Sequence, residues 1–236
     1  LCPSSSSSLI VYYIKHLWPH HKYLCLLSQA RTEGTSVTIV WMNRLDCLFA
    51  QIRACRLCEA NLPLGPRPII RGSESARLLI IGQAPGTRVH ASGIPWDDPS
   101  GERLRRWLGV DSDTFYDSSR IAIMPMGLCY PGRGKSGDLP PRLECASTWH
   151  NRVLMLLPKI ELTLLIGQYA QAYYLRAAAK KSLTETVRYW ADYGPSWLPL
   201  PHPSPRNTLW LNKNPWFAQD VVPALQQRVA LLLAKP

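Results

Sequence analysis

Acidic residues are in short supply: 16 Asp and Glu stand against 27 Lys and Arg, a formal charge of +11 at pH 7. Setting residues 1–41 aside leaves 24 basic and 15 acidic residues, so a surplus of +9 belongs to the main body of the chain. Such a surplus favours an anionic partner, nucleic acid first and a membrane surface second. Phosphate-loop patterns are missing too. Neither G-x-G-x-x-G nor G-x-x-x-x-G-K-[ST] occurs, which removes the two most familiar nucleotide cradles. The apolar patch "LIVYYI" at 9–14 is too short to span a bilayer and has no charged segment before it, so neither a membrane helix nor a secretory signal is expected. No methionine precedes Met42, and a serine run occupies residues 4–8. Residues 1–41 are therefore expected to be an upstream extension without a fixed fold, and residues 42–236 the domain proper.

With 46% apolar and 9% aromatic residues, that domain is long enough to bury one sizeable core. Four apolar runs have strand length: "RLLIIG" (77–82), "IAIMPM" (121–126), "LTLLIG" (162–167) and "SWLPLPHP" (196–203). Helical patterns lie around them, at 43–57, at "GERLRRWLGV" (101–110), at 141–157, at 168–178 and at 215–233. Continuous apolar strands alternating with helices predict an α/β fold with a parallel sheet covered on both faces. No internal repeat or interdomain linker interrupts it, and the Gly/Pro-rich "YPGRGKSGDLPPR" at 130–142 reads as a long surface loop.

Seven cysteines without a secretory signal argue for thiols rather than a disulfide framework. Cys55 and Cys58 form C-x-x-C, Cys129 ends a strand, and Cys145 follows sixteen residues later in a helical pattern. Four thiolates from two distant segments can hold a [4Fe–4S] cluster or a structural zinc, because soft sulfur suits both. Cys129 and Cys145 serve equally well as small core residues.

Between Gly82 and Leu104 the chain reads "GQAPGTRVHASGIPWDDPSGERL", a strand emptying into a Gly/Pro-rich segment, and "HPSP" at 202–205 follows the last strand. These motifs resemble the uracil-DNA glycosylase superfamily, most closely its iron–sulfur branch, family 4, over nearly all of residues 44–232. "GQAPG" is similar to that branch's G-E-[AG]-P-G. Trp96 of "GIPW", ten residues after Gly86, stands where the family has an aromatic, and "HPSP" resembles its H-P-S motif. The spacing of Cys55 and Cys58 ahead of Gly82, and of Cys129 from Cys145, also matches.

The resemblance implies a three-layer sandwich around a central four-stranded, mainly parallel sheet. It also implies a [4Fe–4S] cluster on Cys55, Cys58, Cys129 and Cys145, with structural zinc as the alternative. A glycosylase must hold a flipped base flat and support negative charge on it as the N-glycosidic bond breaks. Trp96 would be the plate, and Gly82, Gln83 and Ala84, with Pro85 and Gly86, a close-approaching backbone. His202 would donate a hydrogen bond to the base. Ser204 would pin a phosphate, Arg206 and Asn207 would enter the minor groove or vacated stack, and Arg133 and Lys135 would lie near the DNA backbone.

Two departures stand out. Ala84 has no group to act on water, which leaves Gln83 as an orienting amide and Asp97 or Asp98 as orienting or cation-stabilising carboxylates. Pro125 occupies the position, four residues before Cys129, where family 4 has a base-reading asparagine.

The expected activity is a monofunctional DNA glycosylase of base excision repair, acting on uracil first and hypoxanthine or xanthine next. An iron–sulfur nucleic-acid-binding protein of the same fold without glycosylase activity is the alternative. Its partner would be DNA carrying a damaged or deaminated base. A monomer with no membrane association is expected, in a bacterial-type cytoplasm.

Overall fold

The computed structural model of the chain describes residues 10–14, 23–30, 35–135 and 137–234, with side chains from Met42 onwards. Two compact units divide at residues 55 and 56. In the first, β1 (Ile10–Ile14), β2 (Tyr23–Ala30) and β3 (Thr35–Met42) form an antiparallel sheet in that order. The expectation for residues 1–41 falls in part on residues outside those described. Helix α1 (Arg44–Arg53) starts where the Asn43 side chain accepts the Asp46 N–H at 2.8 Å, a cap that satisfies one otherwise orphaned donor. It buries Leu45, Leu48, Phe49 and Ile52, the face its periodicity predicts. Cys47 in this helix is disulfide-bonded, contrary to the expectation of thiols throughout. The helix stops at Ala54, so Cys55 lies just beyond it.

The second unit is built on β4 (Leu78–Ile81), β5 (Ile121–Ile123), β8 (Leu162–Ile166) and β9 (Trp197–Leu200). Their order is β5-β4-β8-β9 and every pairing is parallel. All residues of β4, β5 and β8 are buried, as expected of strands covered on both faces. Two of the predicted strands end early for a visible reason. Met124 still donates to Ile80, but Pro125 has no N–H and closes β5. Pro199 is tolerated inside β9 because β9 is an edge strand, and Pro201, which has no N–H, follows its last residue.

Between β4 and β5 lie α2 (Thr87–Ser92), α3 (Pro99–Leu108) and α4 (Ser112–Tyr116). After β5 the loop folds into a small hairpin, β6 (Arg133–Gly134) with β7 (Gly137–Asp138). Next, α5 (Leu143–Cys145) runs through a π turn, Ala146–His150, into α6 (Asn151–Leu154). Helices α7 (Gln168–Leu175) and α8 (Leu183–Arg188) separate β8 from β9. Helix α9 (Thr208–Lys213) follows the last strand, and α10 (Val222–Leu233) continues from a second π turn, Phe217–Val221.

One core cluster joins alternate residues of the sheet, such as Leu78, Ile80 and Leu164, to Leu104 of α3, Phe217 and Leu225 of α10. Helices flank the sheet, giving a three-layer α/β sandwich with the sheet in the middle. The strands are parallel, so β4, β5 and β9 end at the same edge of the sheet, β9 set apart from β4 by β8, and the segments 82–86, 124–129 and 201–205 all emerge there. In an open parallel sheet, that edge is where ligands bind.

Candidate active site

The glycine loop leaves β4 at Gly82, and here glycine is obligatory. A Cβ on Gly82 would fall 2.7 Å from Cζ2 of Trp96, so the indole rests directly on the backbone. Trp96 itself has φ +60°, a left-handed conformation that costs a bulky residue roughly 1–3 kcal/mol. Its neighbours hold it there. The Tyr116 hydroxyl donates to Pro95 O at 3.1 Å, and Arg105 Nη1 reaches Trp96 O at 3.5 Å. Glycine at position 101 admits that carbonyl, since a Cβ there would lie 1.7 Å from Trp96 O.

The indole faces His202, with ring centroids 5.7 Å apart and planes at 36°. His202 Nδ1 accepts the Ser204 N–H at 3.2 Å, which leaves the proton of a neutral ring on Nε2. Burial pushes the His202 pKa below its ordinary value, opposed by the Asp98 carboxylate, so the ring is neutral at pH 7. Its loop is tied down twice more. Asn207 Nδ2 donates to His202 O at 2.7 Å, and Arg103 Nη1 of α3 donates to Ser204 O at 2.9 Å.

These groups line a cavity of ≈ 500 Å³. Buried lining residues, among them Ile69, Gly82, Ile123 and Pro125, form the floor, and the exposed lining, Asp138, Pro205 and Arg206, forms the mouth. Behind the floor, His150 Nε2 donates to Pro125 O at 3.2 Å, and its Nδ1 meets the Tyr174 hydroxyl at 2.5 Å. Burial pushes the His150 pKa down to about 4 and raises that of Tyr174. Met126 and Gly127 donate their N–H groups to Gly82 O and Gln83 O at 2.8 and 2.9 Å, stitching this wall to the glycine loop.

Of the residues singled out by sequence, Gly82, Gln83, Ala84, Trp96, His202, Ser204, Arg206 and Asn207 all line this one cavity. Several differ from expectation in detail. Gln83 Nε2 donates to Leu139 O at 3.1 Å, at the foot of the β6–β7 hairpin. Ser204 Oγ accepts the Arg206 N–H at 3.2 Å, and the Asn207 amide is held by His202 O. Asp97 is exposed and outside the lining, whereas Asp98 lines it and caps α3 by accepting the Gly101 N–H at 2.8 Å. Arg133 and Lys135 are exposed on the hairpin.

Sequence reading missed Arg103, His150 and Asp138. Their positions carry no local motif, because each meets the site through contacts distant in sequence.

Three of the four cysteines belong to the second unit. Cys58 and Cys129 share a small buried cluster with Leu62. The Glu144 hydrogen bond raises the Arg142 pKa, with lesser contributions from Cys58 and Cys145. Arg142 Nε is buried and has no hydrogen-bond partner among the described residues. Soft, buried sulfur beside an unsatisfied cationic donor suits an anionic thiolate-bound metal centre in chemistry. As placed, no three His, Cys, Asp or Glu among the described residues form a metal-ligating group.

No helix among the described residues is long and apolar enough to cross a membrane. Residues 69–226 match the family model described as the Uracil DNA glycosylase superfamily, a stretch that takes in the glycine loop, Trp96 and "HPSP" but not Cys55 or Cys58. The chain belongs to the uracil-DNA glycosylase superfamily.

Proposed function

We propose that the protein is a monofunctional DNA glycosylase that hydrolyses the N-glycosidic bond of uracil, or of another deaminated base, and leaves an abasic site. The observation that carries this reading is the pairing of Trp96 with a neutral His202 over a glycine loop, inside a cavity large enough for one base. Superfamily members generally hydrolyse N-glycosyl bonds in DNA.

The geometry supports a simple division of labour. A flipped base stacks on the Trp96 indole, and backbone at Gly82, Gln83 and Ala84 approaches its edge without side-chain bulk. His202 Nε2–H then donates to a carbonyl oxygen of the base. That bond strengthens as the C1′–N bond breaks and charge collects on the oxygen, and losing one such donor costs about 3–4 kcal/mol of barrier. A neutral imidazole serves because its Nε2–H donates a hydrogen bond without the ring having first to gain a proton. Asp98 acts on this side of the site, through its charge on His202. Pro125 supplies no side-chain reader, so base choice rests on backbone groups, His202 and cavity shape. Uracil is the first substrate to try, then hypoxanthine and xanthine.

Duplex or single strand would be gripped by Arg206, Ser204 and Asn207 at the mouth, with Arg133 and Lys135 beyond them. We also propose that Cys55, Cys58, Cys129 and Cys145 would hold a [4Fe–4S] cluster in a structural role, supported by thiol chemistry, the burial of Cys58, Cys129 and Cys145, and the unsatisfied Arg142 Nε. Iron and sulfide copurifying with anaerobically prepared protein, and a lower melting temperature in Cys145→Ser, are the expected results. Stoichiometric zinc instead would replace the cluster by a structural zinc.

The direct test of the activity is incubation with single- and double-stranded oligonucleotides carrying one uracil, hypoxanthine or xanthine, followed by alkali and a sizing gel. Cleavage at the modified position is expected. Tight binding without cleavage of any of them would favour the non-catalytic DNA-binding protein.

A further inference from the structure

We propose that Asp138, on the β6–β7 hairpin, is the carboxylate that receives a proton from the attacking water; this rests on the glycosylase reading above. The glycine loop offers no such group, since Ala84 is inert and the Gln83 amide takes up no proton, its Nε2 being held by Leu139 O at 3.1 Å. The same bond indicates what Gln83 does instead: it ties the foot of the hairpin to the loop.

The tie is one of three. Leu139 packs against Gly132 and Gly134, where a Cβ on either would come within 3.2 Å of its methyl groups. Its N–H donates to Gly132 O at 2.9 Å. From the opposite side the Arg206 guanidinium lies over Gly137, with Nη1 2.8 Å from the position of a Cβ there. A two-residue pairing is too short to hold itself, so these contacts fix where Asp138 sits. Its carboxylate lines the cavity, and Oδ2 lies 3.5 Å from the position of a Cβ on Gly86. Among the described residues it accepts no hydrogen bond.

Depth separates its role from base reading. Asp138 is exposed at the mouth, whereas the floor of Ile69, Gly82, Ile123 and Pro125 is buried. A flipped nucleotide puts its base on the floor and its sugar at the mouth, so Asp138 faces the sugar carbon. Asp98 is less suited. Its Oδ1 is committed to the Gly101 N–H and its charge falls on His202, on the side of the departing base.

In the proposed step a water oxygen bonds to C1′ while one of its protons passes to the Asp138 carboxylate. The C1′–N bond breaks, and its electron pair stays with the base, on the ring nitrogen and the carbonyl oxygen that His202 faces. The negative carboxylate also stabilises positive charge on the sugar as that bond lengthens.

The experiment is single-turnover excision from a uracil-containing single-stranded oligonucleotide, with DNA affinity measured in parallel. Asp138→Ala is expected to slow excision roughly 100-fold, the lower end of what a general base contributes, with affinity unchanged or higher. Added formate, a small carboxylate able to enter the vacated space, should restore part of the rate in Asp138→Ala and none in wild type. Gln83→Ala should slow excision less, and should add little in the double variant, because it acts by placing Asp138. Wild-type excision with an undiminished rate in Asp138→Ala overturns this inference alone, and loss of rate with no response to formate does the same. A wild type that excises no base from the panel overturns the glycosylase reading itself.

Discussion

One histidine lines the cavity and another lies behind its floor, and they differ in what remains open to a ligand. His150 has both ring nitrogens engaged, by the Tyr174 hydroxyl and the Pro125 carbonyl, and is fully buried. His202 has Nδ1 engaged by the Ser204 N–H, while Nε2–H has no acceptor among the described residues and the ring lines the cavity. Burial lowers both pKa values. A depressed pKa therefore does not separate a strut from the proposed donor to the base. The distinction is one fixed nitrogen with one nitrogen exposed to the ligand, against two fixed nitrogens.

Replacing each in turn sharpens that contrast. His150→Ala removes a buried ring and leaves Tyr174 and Pro125 unsatisfied, which should cost about 3–5 kcal/mol of stability. Chemical denaturation read by fluorescence measures it, and a change under 1 kcal/mol would mean that His150 is not a strut. A related effect should appear with acid. His150 has an ordinary value near 6.5 and a folded value of about 4, so the unfolded chain takes up a proton first. Stability should be full above pH 6.5 and fall by up to roughly 3 kcal/mol as pH drops from 6.5 to 4. His150→Gln should flatten that slope. Burial also holds the His202 pKa below its ordinary value, so excision at early times should be less sensitive to mild acid than a solvent-exposed imidazole would make it.

Trp96→Ala should weaken both binding and excision, by about 1–3 kcal/mol each, as the flipped base loses its plate. Titration and single-turnover assays with one oligonucleotide read both effects. Smaller still is Arg206→Ala. It should weaken binding uniformly across sequences and reduce the slope of log K against log salt by about one.

The contrast between the histidines also marks what was legible in the sequence. "GQAPG", "GIPW" and "HPSP" are contiguous motifs at strand ends, and the four apolar runs read directly as a parallel sheet; all four formed. His202 was visible because its motif follows a strand. His150 was not, since a histidine inside a helical pattern looks like any other until the π turn and Tyr174 are placed around it. Arg103 was likewise one arginine of an amphipathic helix until its guanidinium met Ser204 O, a hundred and one residues away. Asp138 lay in a loop that read as solvated surface. The Gln83 tether, the glycine packing under Leu139 and the Arg206 guanidinium over Gly137 place it at the cavity. The early ends of β5 and β9 were legible in principle, because both turn on prolines.

The most direct measurement is single-turnover release of base from a uracil-containing oligonucleotide by wild type and His202→Ala, under conditions where both bind the DNA fully. The wild type should produce an abasic site. The variant should do so on the order of 100-fold more slowly at nearly unchanged affinity, as expected when one donor to a developing oxyanion is lost. Equal rates in the two proteins would contradict the assignment of His202 as the group that stabilises the departing base.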